Sequence, residues 1–380
     1  MAIIIGADFV PTESNQEYFS NRKMEKLILG ELLRIIFDAD FKIFNLEVPL
    51  ANTLTPINKC GPHLIAKTST VEGYKQLGVN MLVLGNNHIL DHGTEGLLST
   101  IDTLNRASIE YVGAGNNITK AAESRGFIYG NRNIGIYACS EHEFSIATDT
   151  NPGANPFDPL YSFDHVEMMT KKYDYIIVLY HGGKEHYRYP SPRLQEVCRR
   201  FADKGADLII CQHSHCIGCE ENYKGKKIVY GQGNFLFDRS QSEYWETGLL
   251  ISIDENTHIS YIPIVKKNEC VELTDGAQSQ KILDEYFCRS KEIQEPGFIK
   301  EQYNKFSYEM MDYYLNSFAG KKSIAFRVID RLTNGKYRKY QIKKKYGIDE
   351  LLHIYNYCLC EAHIELISHG LENRIYGKIK

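Results

Sequence analysis

The sequence predicts an α/β fold over residues 1–268, followed by a helical extension over residues 269–380. Short apolar runs alternate with segments of helical periodicity as far as about residue 265, which is the pattern of a layered α/β domain. Runs such as MLVL and YIIVLY are apolar throughout, as expected for strands buried on both faces. Beyond residue 275 the chain is rich in lysine and tyrosine and shows no clear strand signal.

The apolar runs place six strands in the first part of the chain. They are residues 2–6, 41–44, 81–84, 134–138, 175–179 and 207–210. Helical periodicity predicts helices at residues 24–36 and 94–104 between them, and at residues 297–318 and 348–369 of the extension. Shorter β segments at residues 227–230, 248–253 and 258–262 are interpreted as a second sheet packed on the first. The basic stretch at residues 336–345 is interpreted as a solvated helix face.

Composition and charge argue against several classes of protein. A net charge of −4 gives no general electrostatic basis for binding nucleic acid. No run of 18 apolar residues is present, so no transmembrane segment is predicted. The N-terminal MAIIIGAD has no basic region and indicates a first strand rather than a signal peptide. The ten cysteines lack the density of a small disulfide-bonded domain, which favours reduced thiols and a cytoplasmic location.

Polar side chains follow five of the predicted strands, at the point where each strand ends. They are Asp8, Asn45 with Glu47, Asn87 with His88 and Asp91, His181, and His213 with His215. The carboxyl ends of strands in an open α/β sheet line one edge, so we expect these residues to converge. Carboxylate, imidazole and amide groups together suit Zn²⁺, Mn²⁺ or Fe, and two such ions would need one bridging carboxylate. The pattern therefore predicts a metal site.

The order of these motifs resembles the CapA-type capsule and poly-γ-glutamate synthesis proteins, which are relatives of the calcineurin-like metallophosphoesterases. The resemblance covers residues 3–265. Its segments are GADFVP (6–11), NLEVPL (45–50), LGNNHILDHGTEGL (84–97), YVGAGNN (111–117), HGGKEHYRYPSP (181–192), QHSH (212–215) and VYGQGNFLFD (229–238). It implies a four-layer α-β-β-α sandwich of the metallophosphoesterase type.

The resemblance also assigns roles to single residues. The implied metal ligands are Asp8, Glu47 (in the bridging position), Asn87, His181, His213 and His215. His88 matches the histidine that contacts the phosphoryl oxygen, and Asp91, Glu185 and Asn234 match motif positions near it. We assign His88, Glu185 and Asp91 to catalysis and Asn234 to the substrate. His186 joins the substrate group through its place beside Glu185, and Arg188 through its charge alone.

Three positions depart from the family pattern. Val10 stands where the broader superfamily has a second ligand, a histidine two residues after the first aspartate. Gln212 stands where an extra histidine is frequent, and Gly182 replaces a common aromatic residue. We therefore expect one complete metal position, around Asn87, His181, His213 and Glu47, and a second, around Asp8 and His215, that lacks one ligand.

The resemblance implies a metal-dependent hydrolase that acts on a small-molecule or polymer phosphate ester, with one or two Mn, Zn or Fe ions, in the synthesis of a capsule or another surface polymer. One alternative is metal-dependent amide chemistry on a γ-glutamyl polymer. No GxxxxGK[ST] loop is present for a nucleotide-dependent ligase. The other alternative is a non-catalytic scaffold. The helical extension would serve self-association or contact with a polymer-synthesis partner.

Overall fold

The computed structural model describes residues 2–237, 242–320 and 322–376. Its contacts divide the chain into two units, Met1–Lys300 and Glu301–Lys380. This division falls later than the predicted boundary at residue 268, because the helix Gly276–Glu292 packs on the first unit. Tyr286 of that helix is fully buried, and the Ser290 hydroxyl accepts a hydrogen bond from the Glu220 amide at 2.8 Å.

The strands all lie in the first unit. In chain order they are β1 Ile3–Asp8, β2 Phe41–Asn45, β3 Met81–Val83, β4 Glu110–Val112, β5 Ala114–Gly115, β6 Arg125–Tyr129, β7 Arg132–Ser140, β8 Gly153–Ala154, β9 Tyr175–His181, β10 Leu208–Gln212, β11 Glu220–Tyr223, β12 Lys226–Val229, β13 Thr247–Ile253, β14 Ile259–Lys267 and β15 Cys270–Leu273. The six strands predicted for the first part of the chain are confirmed as β1, β2, β3, β7, β9 and β10.

Thirteen of these strands form two large sheets, and β5 pairs with β8 in a small separate sheet. The first has the order β15-β14-β13-β1-β2-β3-β4, and the second has the order β11-β12-β10-β9-β7-β6. The late segments do not form the separate sheet that the sequence predicted. β13 lies antiparallel to β1 and β14 antiparallel to β13, whereas β12 lies parallel to β10 in the other sheet. β13 thereby pairs with one side of β1 and β12 with one side of β10, which satisfies backbone hydrogen-bonding groups there.

Helices cover the outer faces of both sheets. Those of the first unit are α1 Gln16–Ser20, α2 Gly30–Asp38, α3 Val71–Leu77, α4 Gly93–Ala107, α5 Ile118–Ala121, α6 Ser162–Met169, α7 Pro192–Asp203, α8 Glu243–Glu246 and α9 Gly276–Glu292. One apolar cluster joins α1–α4 to the first sheet, and another joins α6 and α7 to the second. A third, which includes Ile5 and Ile177, lies between the two sheets. The four-layer α-β-β-α sandwich is therefore confirmed.

The second unit is helical, as predicted. Its helices are α10 Phe298–Phe318, α11 Ile324–Leu332, α12 Lys336–Lys345, α13 Ile348–Leu359 and α14 Glu361–Tyr376. The single helix predicted over residues 348–369 is interrupted at Cys360, whose ψ of 120° is extended and ends α13. None of the helices in the described residues combines the length and apolar composition that crossing a membrane requires.

Candidate metal centre

The site is built at the carboxyl ends of strands from both sheets. Asp8 ends β1, Glu47 lies two residues beyond β2, and Asn87 lies in the turn that follows β3, all in the first sheet. His181 ends β9, and His213 directly follows β10, both in the second sheet. The sequence placed all these residues at the edge of one open sheet. The structure instead brings two facing sheets together at this end, because their strands run out on the same side of the sandwich.

The six predicted metal-ligand residues lie together and are buried. His181 Nε2 is 3.0 Å from Asn87 Oδ1, 3.0 Å from His213 Nδ1 and 3.3 Å from Glu47 Oε1. On the other side of Glu47, His215 Nδ1 is 3.1 Å from Asp8 Oδ2. The two predicted metal positions therefore correspond to two neighbouring groups of donor atoms.

Glu47 links these groups. One ligand atom each from Glu47, His213 and His215 lies within 4.8 Å of the other two. The Glu47 carboxyl is fully buried, and neither of its oxygens has a hydrogen-bond partner among the described residues. A buried carboxylate without partners is costly, and a cation coordinated by both oxygens removes that cost. The donor set of carboxylate, imidazole and amide oxygen fits a divalent transition metal.

The two histidines after β10 occupy a local turn. The backbone φ is 114° at His213 and 53° at His215, both in the positive range that residues other than glycine rarely adopt. Gly231, at φ 132°, lies against this turn, and a Cβ there would come within 2.7 Å of the Ser214 hydroxyl oxygen. This turn directs alternate side chains toward Glu47, and strained backbone of this kind is concentrated at functional sites.

Burial and charge set the proton affinities in the cluster. Burial lowers the pKa of His181 to about 3. Burial also raises the pKa of Glu47 to about 8, and the charge of Asp8 adds to that effect. At His215 burial acts to lower the pKa, but the carboxyl groups of Glu47 and Asp8 outweigh it and raise the pKa to about 9. The cluster without metal therefore holds protons at positions that a divalent cation would take.

His88 and Asp91 form a pair beside the cluster. His88 Nδ1 is 2.7 Å from Asp91 Oδ2, and the Leu64 amide donates to the same carboxylate oxygen at 2.7 Å. Lys59 pairs with the other oxygen, and its Nζ is 3.3 Å from His88 Nδ1. Desolvation works against the charge of Asp91, but its contacts with His88, Leu64 and Lys59 hold its pKa below the usual value. An ionised carboxylate can only accept, so Asp91 fixes the proton on His88 Nδ1. Sequence analysis missed Lys59, a lysine in a loop that no motif singles out.

Neighbouring amide and carboxylate side chains form hydrogen bonds that orient the ligand residues. Asn45 donates to Asp8 Oδ1 at 2.6 Å, and Asn86 donates to Asn45 Oδ1 at 3.1 Å. The Asn87 amide group donates to Glu143 Oε2 at 3.1 Å, which leaves Asn87 Oδ1 facing His181. These bonds orient the donor oxygens as supporting residues do in metal sites. Glu143 was not identified from the sequence, since it lies outside the matching motifs.

Comparison with known proteins places the chain in a family. A family model described as "Bacterial capsule synthesis protein PGA_cap" matches residues 5–239. The chain belongs to this family. It is 32% identical over 198 residues to "Capsule biosynthesis protein CapA" of Bacillus anthracis, covering 50% of this chain and 47% of that protein. It is 28% identical over 192 residues to "PGA biosynthesis protein CapA" of Bacillus subtilis (strain 168), covering 50% of each. The chain thus spans about half the length of these curated relatives.

Solved structures show a more distant likeness. A phosphatase from Mycoplasma pneumoniae is 16% identical, with a TM-score of 0.44, and the alignment covers 70% of this chain and 95% of that one. A 5'-nucleotidase precursor from Thermus thermophilus is 14% identical, with a TM-score of 0.41, and the alignment covers 75% of this chain and 58% of that one.

The other predicted residues of the family motifs lie on the rim of the cluster. Asn234 Oδ1 is 2.8 Å from His215 Nδ1. Desolvation works against the charge of Glu185, but the nearby imidazoles of His213 and His215 hold the pKa of Glu185 below its usual value. The last residue of the VYGQGNFLFD motif, Asp238, lies outside the described residues.

His186 and Arg188 both contact the short helix α8, and the His186 ring also lies 6.4 Å from the ring of the candidate ligand His215. His186 Nε2 accepts a hydrogen bond from the Trp245 indole at 3.0 Å, and its ring stacks on Tyr244 with centroids 5.3 Å apart. The Arg188 guanidinium lies over the Tyr244 ring and donates to the Ile217 carbonyl at 2.9 Å. The predicted substrate roles of His186 and Arg188 stay predictions.

Two of the three departures from the family pattern are accommodated by packing. Val10 is buried in the apolar cluster under the first sheet and offers no ligand atom. The Gln212 amide donates to Gln232 Oε1 at 3.0 Å, in a position between the sheets. Neither residue replaces the histidine that each position has elsewhere, so Asp8 and His215 are left with fewer neighbouring donors.

Proposed function

We propose that the protein is a metal-dependent hydrolase of a phosphate ester that serves the synthesis of a capsule or another surface polymer. One observation carries the proposal. Glu47 is a fully buried carboxyl group without hydrogen-bond partners among the described residues, at the meeting point of the imidazoles of His181, His213 and His215. A group of this kind is expected where a cation binds.

The residues would hold one or two Mn, Zn or Fe ions. Asn87, His181 and His213 would bind on one side of Glu47, and Asp8 and His215 on the other. Such an ion, when bound, supplies an activated water molecule and neutralises charge on the phosphoryl group. Because Val10 offers no ligand atom on the Asp8 side, we expect the first position to bind its ion more tightly.

His88 would act on the substrate directly. Its Nδ1 proton is held by Asp91 Oδ2 at 2.7 Å. Nε2 is therefore the ring nitrogen that would donate a hydrogen bond to a phosphoryl oxygen or accept one from it. Negative charge grows on the phosphoryl oxygens during in-line attack, and a donor held in place there lowers the barrier. Glu185, with its lowered pKa, would accept a proton rather than donate one at neutral pH.

The first experiment measures metal content and turnover together. Purified protein is analysed for metal and assayed with an aryl phosphomonoester, a phosphodiester and a γ-glutamyl amide. Bound metal with ester turnover is expected, and Glu47→Gln should lose both. Glu221→Gln is the matched control, because Glu221 is also buried but pairs with Arg199 away from the cluster. Bound metal with turnover of the γ-glutamyl amide alone would favour metal-dependent amide chemistry instead. Absence of both metal and turnover would favour a non-catalytic scaffold.

We further propose that the C-terminal unit contacts a protein of the polymer-synthesis apparatus or a second copy of the chain. Large apolar side chains are exposed on its helices, among them Ile324 and Leu332 of α11 and Leu366 of α14, each more than 70% accessible. Exposed apolar side chains on several helices of one unit favour an interaction surface. Light scattering of the purified protein would detect self-association. The cytoplasmic location stays a prediction.

A further inference from the structure

A lysine without a partner lies beside the ligand cluster. The Lys266 ammonium nitrogen is inaccessible to solvent and has no hydrogen-bond partner among the described residues. Its neighbour Lys267 is exposed and pairs with Glu272. Burying an ammonium group without acceptors is costly, because all three of its donors lose their bonds to water. The sequence does not single out either lysine, since β14 lies beyond the motifs.

The pairing of β14 with β13 places Lys266 next to the site. Val265 of β14 pairs with Thr247 of β13, and Thr247 directly follows α8. The Lys266 ammonium consequently lies over the Trp245 ring of α8, 5.4 Å from its centroid. The Trp245 ring in turn stacks on His215, with centroids 4.9 Å apart and planes 28° apart. The Trp245 ring thus contacts both a candidate metal ligand and the buried cation.

The protein compensates the Lys266 charge only in part. Contact with an indole ring stabilises a cation, but it supplies no acceptor for the three N–H groups. Burial lowers the pKa of Lys266 to about 7, although the negative charges of Asp8 and Glu246 act against that change. These carboxylates influence the ammonium through space, and neither accepts a hydrogen bond from it within the described part of the chain. An oxyanion at this position would supply the missing acceptors.

We propose that Lys266 and Trp245 form an anion-binding subsite beside the metal-ligand cluster, which receives an oxyanion of the substrate. This inference rests on the proposed function, since the anion is taken to belong to the hydrolysed molecule. The ammonium is a compact point charge, and it suits a phosphoryl or a carboxylate group equally. A phosphate ester offers the first group, and a γ-linked glutamate chain offers the second.

The test measures binding rather than turnover. The protein as purified is titrated by calorimetry with inorganic phosphate and, separately, with a short γ-linked glutamate peptide. Lys266→Met should weaken at least one of the two about tenfold or more, the scale of a lost charge-assisted hydrogen bond. Lys266→Arg, which keeps the charge, should weaken binding less. Lys267→Met is the matched control and should bind as the wild type does, because Lys267 is exposed and faces Glu272.

The two probes identify the source of the anion. Loss of phosphate binding in Lys266→Met assigns the subsite to a phosphoryl group, and loss of peptide binding assigns it to a carboxylate. Equal affinities of wild type and Lys266→Met for both probes would overturn the inference. The melting temperature of Lys266→Met should not fall, since the substitution removes a buried unpaired charge.

This inference and the proposed function can fail separately. If the protein turns over the ester but Lys266→Met binds both probes as the wild type does, the proposed hydrolase activity stands and the anion subsite is wrong. If the protein has neither metal nor turnover but still binds a probe in a way that depends on Lys266, the anion subsite stands and the proposed hydrolase activity is wrong. Trp245 is the only tryptophan in the sequence and contacts both His215 and Lys266, so a change in its emission that is lost in Lys266→Met locates the bound anion at the lysine.

Discussion

His181 Nε2 and His213 Nδ1 lie 3.0 Å apart at the ends of neighbouring strands of the second sheet. Burial lowers the pKa values of both side chains, so both imidazoles are neutral at pH 7. Two neutral ring nitrogens at this distance can share only one proton, and Asn87 Oδ1, another 3.0 Å from His181 Nε2, cannot donate. A cation accepts lone pairs from all three atoms at once.

We expect His181→Asn to lower metal affinity at least about tenfold, the smallest loss that changes around metal ligands usually cause. Metal content after dialysis and competition with a chromogenic chelator provide the measurement. His165→Asn is the control, because His165 is a partly buried histidine that contacts Tyr137 at 3.2 Å instead of the cluster. Unchanged metal content in His181→Asn would remove His181 from the ligand set.

Metal-free protein carrying Lys266→Met should lose thermal stability as the pH rises from 7 to 9. Burial and neighbouring charges raise the pKa of Glu47 to about 8, and the carboxyl groups of Glu47 and Asp8 raise the pKa of His215 to about 9. The folded chain therefore keeps protons that the unfolded chain has released, and its free energy of unfolding falls over this range. His181 and His213 have lost their protons in both states above pH 7 and do not offset the fall. Lys266 would offset it, because burial lowers its pKa to about 7 and the unfolded chain keeps the proton that the folded chain loses; for this reason it is replaced by methionine.

The measurement is the melting temperature of chelator-treated protein at pH 7, 8 and 9. Glu47→Gln should reduce the slope, because glutamine does not titrate. Metal-loaded protein should show little of this slope, since the ligands are already deprotonated. A melting temperature that rises between pH 7 and 9 in the chelated protein would contradict the assignment of bound protons to Glu47 and His215.

Asp91→Asn should lower turnover of an aryl phosphate about 100-fold while metal content stays at the wild-type level. Asp91 holds the Nδ1 proton of His88 and contacts none of the ligand residues by a hydrogen bond among the described residues. Lys59→Met should have a smaller effect in the same direction, because Lys59 acts on His88 mainly through Asp91. Turnover by Asp91→Asn as fast as that of the wild type would show that His88 takes no part in the reaction.

Trp245 should report metal binding. Its ring stacks on His215, so adding Co²⁺ to the chelated protein is expected to quench tryptophan emission and to saturate when the cluster is filled. His215→Ala should abolish the saturable change. His258→Ala should not, since His258 is exposed and pairs with Asp254. Saturable quenching that persists in His215→Ala would place the ion elsewhere.

Gly113→Ala should lower the free energy of unfolding by about 2–4 kcal/mol, from overpacking and backbone strain together. Gly113 has a φ of 87°, and a Cβ there would lie 2.8 Å from Ala138 Cβ and 2.9 Å from the Gly85 nitrogen. Gly276→Ala is the control, because no atom lies within 4 Å of a Cβ at Gly276. Denaturant unfolding compares the two variants. Equal stability would show that the contact between Gly113 and Gly85 adapts without cost.

Much of the fold and the composition of the cluster follow from local sequence features. Apolar runs mark β1, β9 and β10, and the polar residue after each run, such as Asp8, His181 or His213, marks the site. Parallel strands that end at one side of a sandwich bring such residues together whichever sheet they belong to. For this reason the cluster was predicted although the division of its strands between two sheets was not.

The missed features depend on contacts between distant segments. The position of β13 beside β1 requires backbone pairing between residues far apart in the chain, such as Ile3 with Ile253, and no periodicity reveals such a partner. Lys59 and Lys266 differ from an exposed lysine such as Lys267 by their buried ammonium groups and their neighbours, not by their sequence surroundings. Local pattern therefore identifies ligands at strand ends and overlooks cations brought in by loops and late strands.

The division of the cluster between the sheets determines when it can assemble as the chain is made. Asp8, Glu47 and Asn87 leave the ribosome well before His181, His213 and His215, and β13, which pairs with β1, is later still. A nascent chain that ends before β10 carries the carboxylates without most of the imidazoles. A divalent ion at this cluster would therefore join the protein only after the second sheet has been translated, and its binding would link an early half of the polypeptide to a late one.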